Sequence, residues 1–401
     1  MPVVKDSLTY LIAEFVSKIT PFLLTPYLTR RMGVDDYGIV SYYQTIIVLF
    51  LIFIGLSQES AIARYYYKYG KRSLKFIIQS CIFYNFAITF LLIILFSILG
   101  LWNYILLVFL ASLQSLFSMQ LAIRQCQKKA KEYLCLQIFN CLILFLFTLF
   151  LFEILVIQEI KAWIFSFILT YFVCVLLSIE WTYLFQGKKI NIRTTKLMII
   201  YFLSYGVPLI LHQLSTFAKG HLDKIYIYNY FDAHELGYYS AALQIASIIS
   251  IFFLALNKAI LPYYFELLKK NKMNKISILI FSILTLFLLP VVYEIFNLIP
   301  GEFYEFFLGH GFGVVQGYVK IFALAFTLMV PYLIIVNYFF YNGKVLLIGI
   351  VSFIAMLVYI LSLYIISGYG ILYMPYSVLI SNVVQIIFLY IFLLLDGKKC
   401  K

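Results

Sequence analysis

The residues of this chain best placed to do chemistry are charges set inside long apolar stretches. Residues 8–29 carry Glu14 and Lys18, four apart and so on one helical face. Residues 39–63 carry Glu59, and residues 237–264 carry Lys258. From residue 212 a series His212, Thr216, Lys219, Asp223 steps by four, three and four, the spacing of one polar stripe on a helix. A charge at bilayer depth costs roughly 2.5–3.5 kcal/mol on insertion scales, so it normally faces protein or a hydrated cavity. Lys18, Lys219 and Lys258 would line such a cavity with positive charge and hold an anion. Glu14, Glu59 and Asp223 would titrate, bind an ion, or offset the lysines. For Glu14 with Lys18, and for Lys219 with Asp223, an internal ion pair that locks the fold is the competing reading. Arg64, Lys224 and Lys320 lie nearer the ends of their stretches, where snorkelling to the interface accounts for them. His212 fits a hydrogen-bonded buried histidine as well as a titrating one.

The elements that must position these groups are membrane helices. Hydrophobic residues make up 64% of the 401 and charged residues 12%, more apolar surface than a water-soluble domain can bury. Spans of about 20 apolar residues are predicted at 8–29, 39–63, 76–99, 104–124, 134–156, 162–186, 197–221, 237–264, 276–298, 320–341, 345–367 and 371–394. Every second gap is basic: KYGKRSLK, RQCQKKAK, GKKINIRTTK, LLKKNKMNK and the terminal GKKCK. Of the 30 Lys and Arg, only Arg30, Arg31 and Lys161 fall clearly on the opposite side. Both termini are therefore predicted to be cytoplasmic. The segments near 30–37, 100–103, 157–161, 222–236, 300–316 and 368–370 are predicted to lie outside. The net charge of +13 follows from this topology and is no sign of nucleic acid.

The chain repeats itself. A shift of 199 residues carries Gly38-x-x-Ser41 onto Gly237-x-x-Ser240, and the acidic turn before it onto Ala233-His234-Glu235-Leu236. Glu59 falls on Lys258. The expected fold class is all-α: a polytopic membrane protein of about twelve transmembrane helices, in two six-helix halves, 1–190 and 191–401, around a central cavity. Both copies run the same way across the bilayer, an arrangement suited to alternating access. Glu59 and Lys258 are expected to face that cavity from opposite halves.

No GxxxxGK[ST] loop, GxGxxG, nucleophile elbow or metal-ligand spacing occurs, so neither an enzyme nor a bound cofactor or metal is expected. A small-molecule or drug exporter stays open, although the deep charges here are mixed or net basic where cationic drugs call for acidic ones. A membrane O-antigen polymerase is the enzymatic alternative, and it is disfavoured by the absence of a long, Arg-bearing outer loop.

Residues 21–33, Pro-Phe-Leu-Leu-Thr-Pro-Tyr-Leu-Thr-Arg-Arg-Met-Gly, followed by Asp36-Tyr37-Gly38, resemble the opening of Wzx-type polysaccharide flippases. Asp223-Lys224 with Gly237-Tyr238-Tyr239-Ser240-Ala241-Ala242 resembles a second segment of that family, and Phe307-Leu308-Gly309-His310-Gly311-Phe312 a third. Met32 stands where the family usually has Leu. These flippases belong to the multidrug/oligosaccharidyl-lipid/polysaccharide exporter superfamily. The resemblance implies a bacterial inner membrane and, as substrate, a lipid-linked oligosaccharide, such as a polyprenyl-diphosphate-linked O-antigen repeat unit. It also implies transport toward the periplasmic leaflet. Membrane lipid and other polysaccharide-assembly proteins are the candidate partners. Ion-gradient coupling through Glu14, Glu59 or Asp223 is expected. The resemblance does not name the sugar unit.

Overall fold

The computed structural model describes residues 2–70, 74–155, 157–178 and 192–395, all helix and short connections. The basic positions Lys71, Arg72, Lys188, Lys189, Lys398, Lys399 and Lys401 lie outside the described residues, as does the expected half boundary at 190/191. The helices are α1 (Pro2–Gly55), α2 (Gln58–Tyr69), α3 (Leu74–Ile98), α4 (Trp102–Cys126), α5 (Ala130–Leu149), α6 (Glu159–Ser178), α7 (Ile192–Tyr230), α8 (Ala233–Lys269), α9 (Lys275–Leu284), α10 (Leu288–Leu298), α11 (Gly301–Leu308), α12 (Val315–Thr327), α13 (Met329–Tyr341), α14 (Val345–Ser367) and α15 (Pro375–Leu395). Among the described residues, eleven stretches are long and apolar enough to cross a membrane. The first, Leu8–Tyr69, is 62 residues long and is broken at Gly33 (φ 72°, ψ −172°). Each arm exceeds the roughly 20 residues of one crossing, so the total is about twelve. The protein is an all-α, multi-pass membrane protein.

Two helix ends differ from expectation. The predicted outer loop 222–236 is largely helical: α7 runs on to Tyr230 and α8 starts at Ala233. Polar residues such as Asp223 and Lys224 lower hydropathy without breaking a helix. What ends the connection is a cap, since the Asp232 side chain accepts from the Glu235 N–H at 2.8 Å. The ninth span is also divided. Thr285–Phe287 forms a 3-10 turn just ahead of Pro290, whose ring clashes with the carbonyl four residues back.

The chain packs as two compact units. Unit 1 comprises residues 1–20 and 40–217, unit 2 residues 21–39 and 218–401. This division follows packing, whereas the 199-residue shift follows sequence; they differ in where 21–39 and 191–217 belong. Within unit 1, α4 is the central helix, with 72% of its apolar window buried against 17% for α3. Leu116, Phe117, Met119 and Ile123 of α4 pack with Ile62 and Tyr65 of α2, Ile77 and Cys81 of α3, and Cys174 of α6. Within unit 2, α12 and α13 form the most buried span, at 56%. Ile335, Val336 and Phe339 of α13 pack with Tyr264 and Leu268 of α8, Ile278 of α9, Val351 of α14 and Leu389 of α15. The outer faces carry exposed Phe83, Phe86, Phe90 and Leu95 on α3, and Ile280 and Phe287 on the ninth span. Such a surface is stable against acyl chains, not water.

Two groups of buried polar side chains tie the helices of unit 1 together. Ser112 Oγ donates to Asn85 Oδ1 at 2.6 Å, and Asn85 Nδ2 and Gln58 Nε2 both donate to Ser115 Oγ at 3.1 and 2.6 Å. This joins α2, α3 and α4. Arg124, 6% exposed, donates to the Gln120 carbonyl and amide at 3.0 and 3.2 Å and to the Ser178 carbonyl, tying α4 to α6.

Candidate functional site

In unit 1 the second span does not run straight. Leu56 and Ser57 adopt left-handed backbone (φ 42° and 54°) between α1 and α2. The break frees carbonyls, and the Tyr84 hydroxyl donates to one of them, Phe53 O, at 2.9 Å. Gly206 of α7 lies against the break, where a Cβ would come within 2.6 Å of the Leu56 carbonyl. Gln58 then anchors the redirected segment to Ser115, and the next residue, Glu59, turns into a cavity of about 460 Å³. Three helices line it, each with one face: Glu59, Ala63 and Tyr67 of α2; Ser118, Ala122 and Gln125 of α4; Tyr133 and Gln137 of α5. Ser60, Leu121 and Cys126 also line it. Ser118 of α4 lies close to the Glu59 carboxylate in this cavity.

In unit 2 the deep charges of α7 part company. Lys219 Nζ donates to Gln385 Oε1 of α15 at 2.6 Å, and Gln385 Nε2 donates to Ser352 Oγ of α14 at 3.3 Å. Asp223, 3% exposed, is occupied elsewhere: Oδ1 accepts from the Lys224 N–H at 2.8 Å, and Oδ2 accepts from the Tyr239 hydroxyl of α8. Among the described residues Lys219 therefore has an amide partner and no carboxylate. The internal Lys219–Asp223 pair, open from sequence, does not form.

The three sequence segments quoted for the family resemblance meet at one end of unit 2. Thr29 Oγ1 donates to the Leu308 carbonyl at 2.6 Å, and the Arg30 guanidinium donates to the Phe306 carbonyl. Arg30 thereby places positive charge at the C-terminal end of α11, where the helix dipole favours it. Gly309 (φ 110°) admits the Arg30 side chain, and Tyr238 packs edge-on against Phe312 at 5.9 Å. Here α1 and α8 cross at Gly38 and Gly237, the repeat-related glycines. A Cβ on Gly38 would stand 1.8 Å from Ala233 O, and one on Gly237 2.2 Å from Val34 O. Beside them Asp35 Oδ1 and His234 Nδ1 are 2.7 Å apart. The 199-residue shift carries Val34 onto Ala233, Asp35 onto His234 and Gly38 onto Gly237. The contact is thus a symmetric one between repeat equivalents.

The family model described as polysaccharide biosynthesis protein matches residues 3–268. The chain belongs to the polysaccharide biosynthesis protein family. An Lsg-locus protein of Haemophilus influenzae is 39% identical, over 97% of this chain and 98% of its own length. An uncharacterized membrane protein of the same organism is 37% identical, over 94% and 93%. Among solved structures, lipid II flippase MurJ in an inward closed conformation matches with a TM-score of 0.69 at 16% identity, covering 94% of this chain and 86% of that one. An inward-facing multidrug resistance MATE family transporter of the MOP superfamily matches with a TM-score of 0.66 at 15% identity, covering 96% and 94%. At these identities the likeness speaks for the fold, which is the one the resemblance implied.

The remaining sequence candidates scatter. Lys18 is exposed and Glu14 half-buried in unit 1. Arg64 stacks over the Tyr205 ring at 5.1 Å, and His212 is exposed, its carbonyl accepting from Thr216 Oγ1 at 3.0 Å. Lys224 is half-buried beside Asp223, Lys258 is exposed, and Lys320 donates to Asn297 Oδ1 at 2.8 Å. Reasoning from charge alone missed Gln385, Tyr239, Arg124 as a buried group, and the Gln58–Asn85–Ser112–Ser115 cluster. The available signal was amide side chains inside apolar spans, which need partners there as charges do.

Proposed function

We propose that this protein is a flippase. It moves polyprenyl-diphosphate-linked polysaccharide repeat units, of the O-antigen type, across a bacterial inner membrane by alternating access, with both termini cytoplasmic. The observation that carries the reading is Lys219. A lysine in a membrane helix, held by a neutral amide with no carboxylate partner among the described residues, keeps its charge for an anionic ligand. A lipid diphosphate supplies that charge at that depth. Membership of a polysaccharide biosynthesis family supports the saccharide half of the substrate, and a fold shared with MurJ and a MATE transporter supports transport. Lys18 and Lys258 are further cations for the same role, and Glu14, Glu59 and Asp223 are the carboxylates through which an ion gradient would couple.

The test is complementation. Host flippases are deleted, this gene is supplied with its own glycan cluster, and the surface polysaccharide ladder is examined. The ladder is expected to return with the wild type and with Lys219→Arg, and to be largely lost with Lys219→Ala at equal protein level. A full ladder with Lys219→Ala would remove the lysine from the mechanism. No ladder with the wild type would remove the reading itself.

A further inference from the structure

We propose that the unit 1 cavity is a saccharide subsite that takes an uncharged, hydroxyl-rich sugar ring. It deepens the flippase reading and rests on it, since it assigns the sugar part of the substrate to a place of its own. Its volume of about 460 Å³ lies within the roughly 300–1,000 Å³ of small-molecule sites.

The chemistry of the lining narrows the ligand. It holds the carboxylate of Glu59, the amides of Gln125 and Gln137, the hydroxyls of Ser60 and Ser118, and the rings of Tyr67 and Tyr133. Sugar hydroxyls donate and accept at once, which matches acceptors and amides in this ratio. The C–H faces of a pyranose pack on aromatic rings. A diphosphate is disfavoured, because among the described residues the lining contains one carboxylate and no Lys, Arg or His. The neighbouring cation, Arg124, is engaged by Gln120 and the Ser178 carbonyl, with Glu132 at 3.9 Å. A purely apolar ligand would leave the carboxylate and amides unpaired, at a cost of about 1–3 kcal/mol each.

The site is built rather than incidental. The left-handed turn at Leu56–Ser57 and the Gln58 anchor aim Glu59 and Ser60 inward. Ala63 and Ala122 are the small residues whose positions leave the space open. Tyr133 is fixed by an edge-on contact with Tyr10 at 5.2 Å.

The test uses the full-length protein in nanodiscs of phosphatidylethanolamine and phosphatidylglycerol. Saturation-transfer NMR is run with a mixture of methyl glycosides of neutral hexoses and N-acetylhexosamines. At least one glycoside is expected to receive saturation. The signal should fall by about five-fold or more with Tyr133→Ala or Gln137→Ala, and vanish with Ala63→Phe, which fills the space. Inorganic pyrophosphate should not compete, and Phe86→Ala on the lipid-exposed face of α3 should change nothing. No transfer to any glycoside, transfer undiminished by Ala63→Phe and Tyr133→Ala, or displacement by pyrophosphate would overturn the proposal. Complementation by the wild-type gene without glycoside binding would sink the subsite and spare the flippase. Binding without complementation would do the reverse.

Discussion

Replacing Gly38 by Ala tests whether backbone packing or charge holds the crossing of α1 and α8. The new methyl would stand 1.8 Å from Ala233 O, 1.2 Å short of the 3.0 Å that Cβ contacts essentially never breach. The obstructing atom is main chain within a helix, so no rotamer change relieves the clash and the helices must part. Overpacking of this kind costs about 1–3 kcal/mol, occasionally more. Gly237→Ala meets Val34 O at 2.2 Å, a shortfall of 0.8 Å, and should cost less. By contrast the adjacent Asp35–His234 pair is 71% and 45% exposed, so its loss costs roughly 0–1 kcal/mol. The assay is resistance to denaturant or heat of the purified protein in nanodiscs. The expected order is Gly38→Ala most destabilising, Gly237→Ala next, Asp35→Asn near wild type. Because the first methyl already parts the helices, the double variant should cost less than the sum of the singles. Wild-type resistance in Gly38→Ala, or strict additivity in the double variant, would refute a close backbone contact between the repeat equivalents.

Three further outcomes follow from the same geometry. Asp223→Ala should not restore export to Lys219→Ala, because Asp223 is held by Tyr239 and its own helix and does not need the lysine; rescue in the polysaccharide ladder would revive the ion-pair reading. Arg124→Met should destabilise the protein by about 1–3 kcal/mol by leaving the buried Gln120 amide oxygen and the Ser178 carbonyl without the guanidinium, and Arg124→Lys should recover only part, since one ammonium cannot span partners on two helices; a denaturation series measures both. The Gly311 N–H and His310 hold the Glu305 carboxyl below the usual carboxylate range. A lowered folded pKa adds stability above the ordinary Glu range and loses it as pH falls through the folded value. Hydrogen exchange over residues 300–313, corrected for intrinsic rates, should therefore rise at acid pH in the wild type and show no such step in Glu305→Gln.

Much of the molecule was legible in the sequence because hydropathy is a local, additive property. Among the described residues, runs of apolar residues named the spans but not their breaks and ends, which the left-handed turn at Leu56–Ser57, the Asp232 cap and the Pro290 ring set. The repeat shift of 199 residues picked out Gly38 and Gly237 before any contact was known, and the structure joins them. The family segments were also legible, but their work was not: Thr29, Arg30, Gly309 and Tyr238 build a junction within unit 2. What only tertiary structure decided was partnership. Charge spacing offered Lys219 the carboxylate four residues away, yet its bond goes to Gln385, 166 residues along the chain. Glu59 shared its span with many residues, and only the left-handed break at Leu56–Ser57 turned it into a cavity shared with α4 and α5. Inside a bilayer every polar group needs a partner, and helices close their own backbone bonds. Which side chain satisfies which is therefore left to whichever helix packs alongside, and that neighbour is not written in the local sequence.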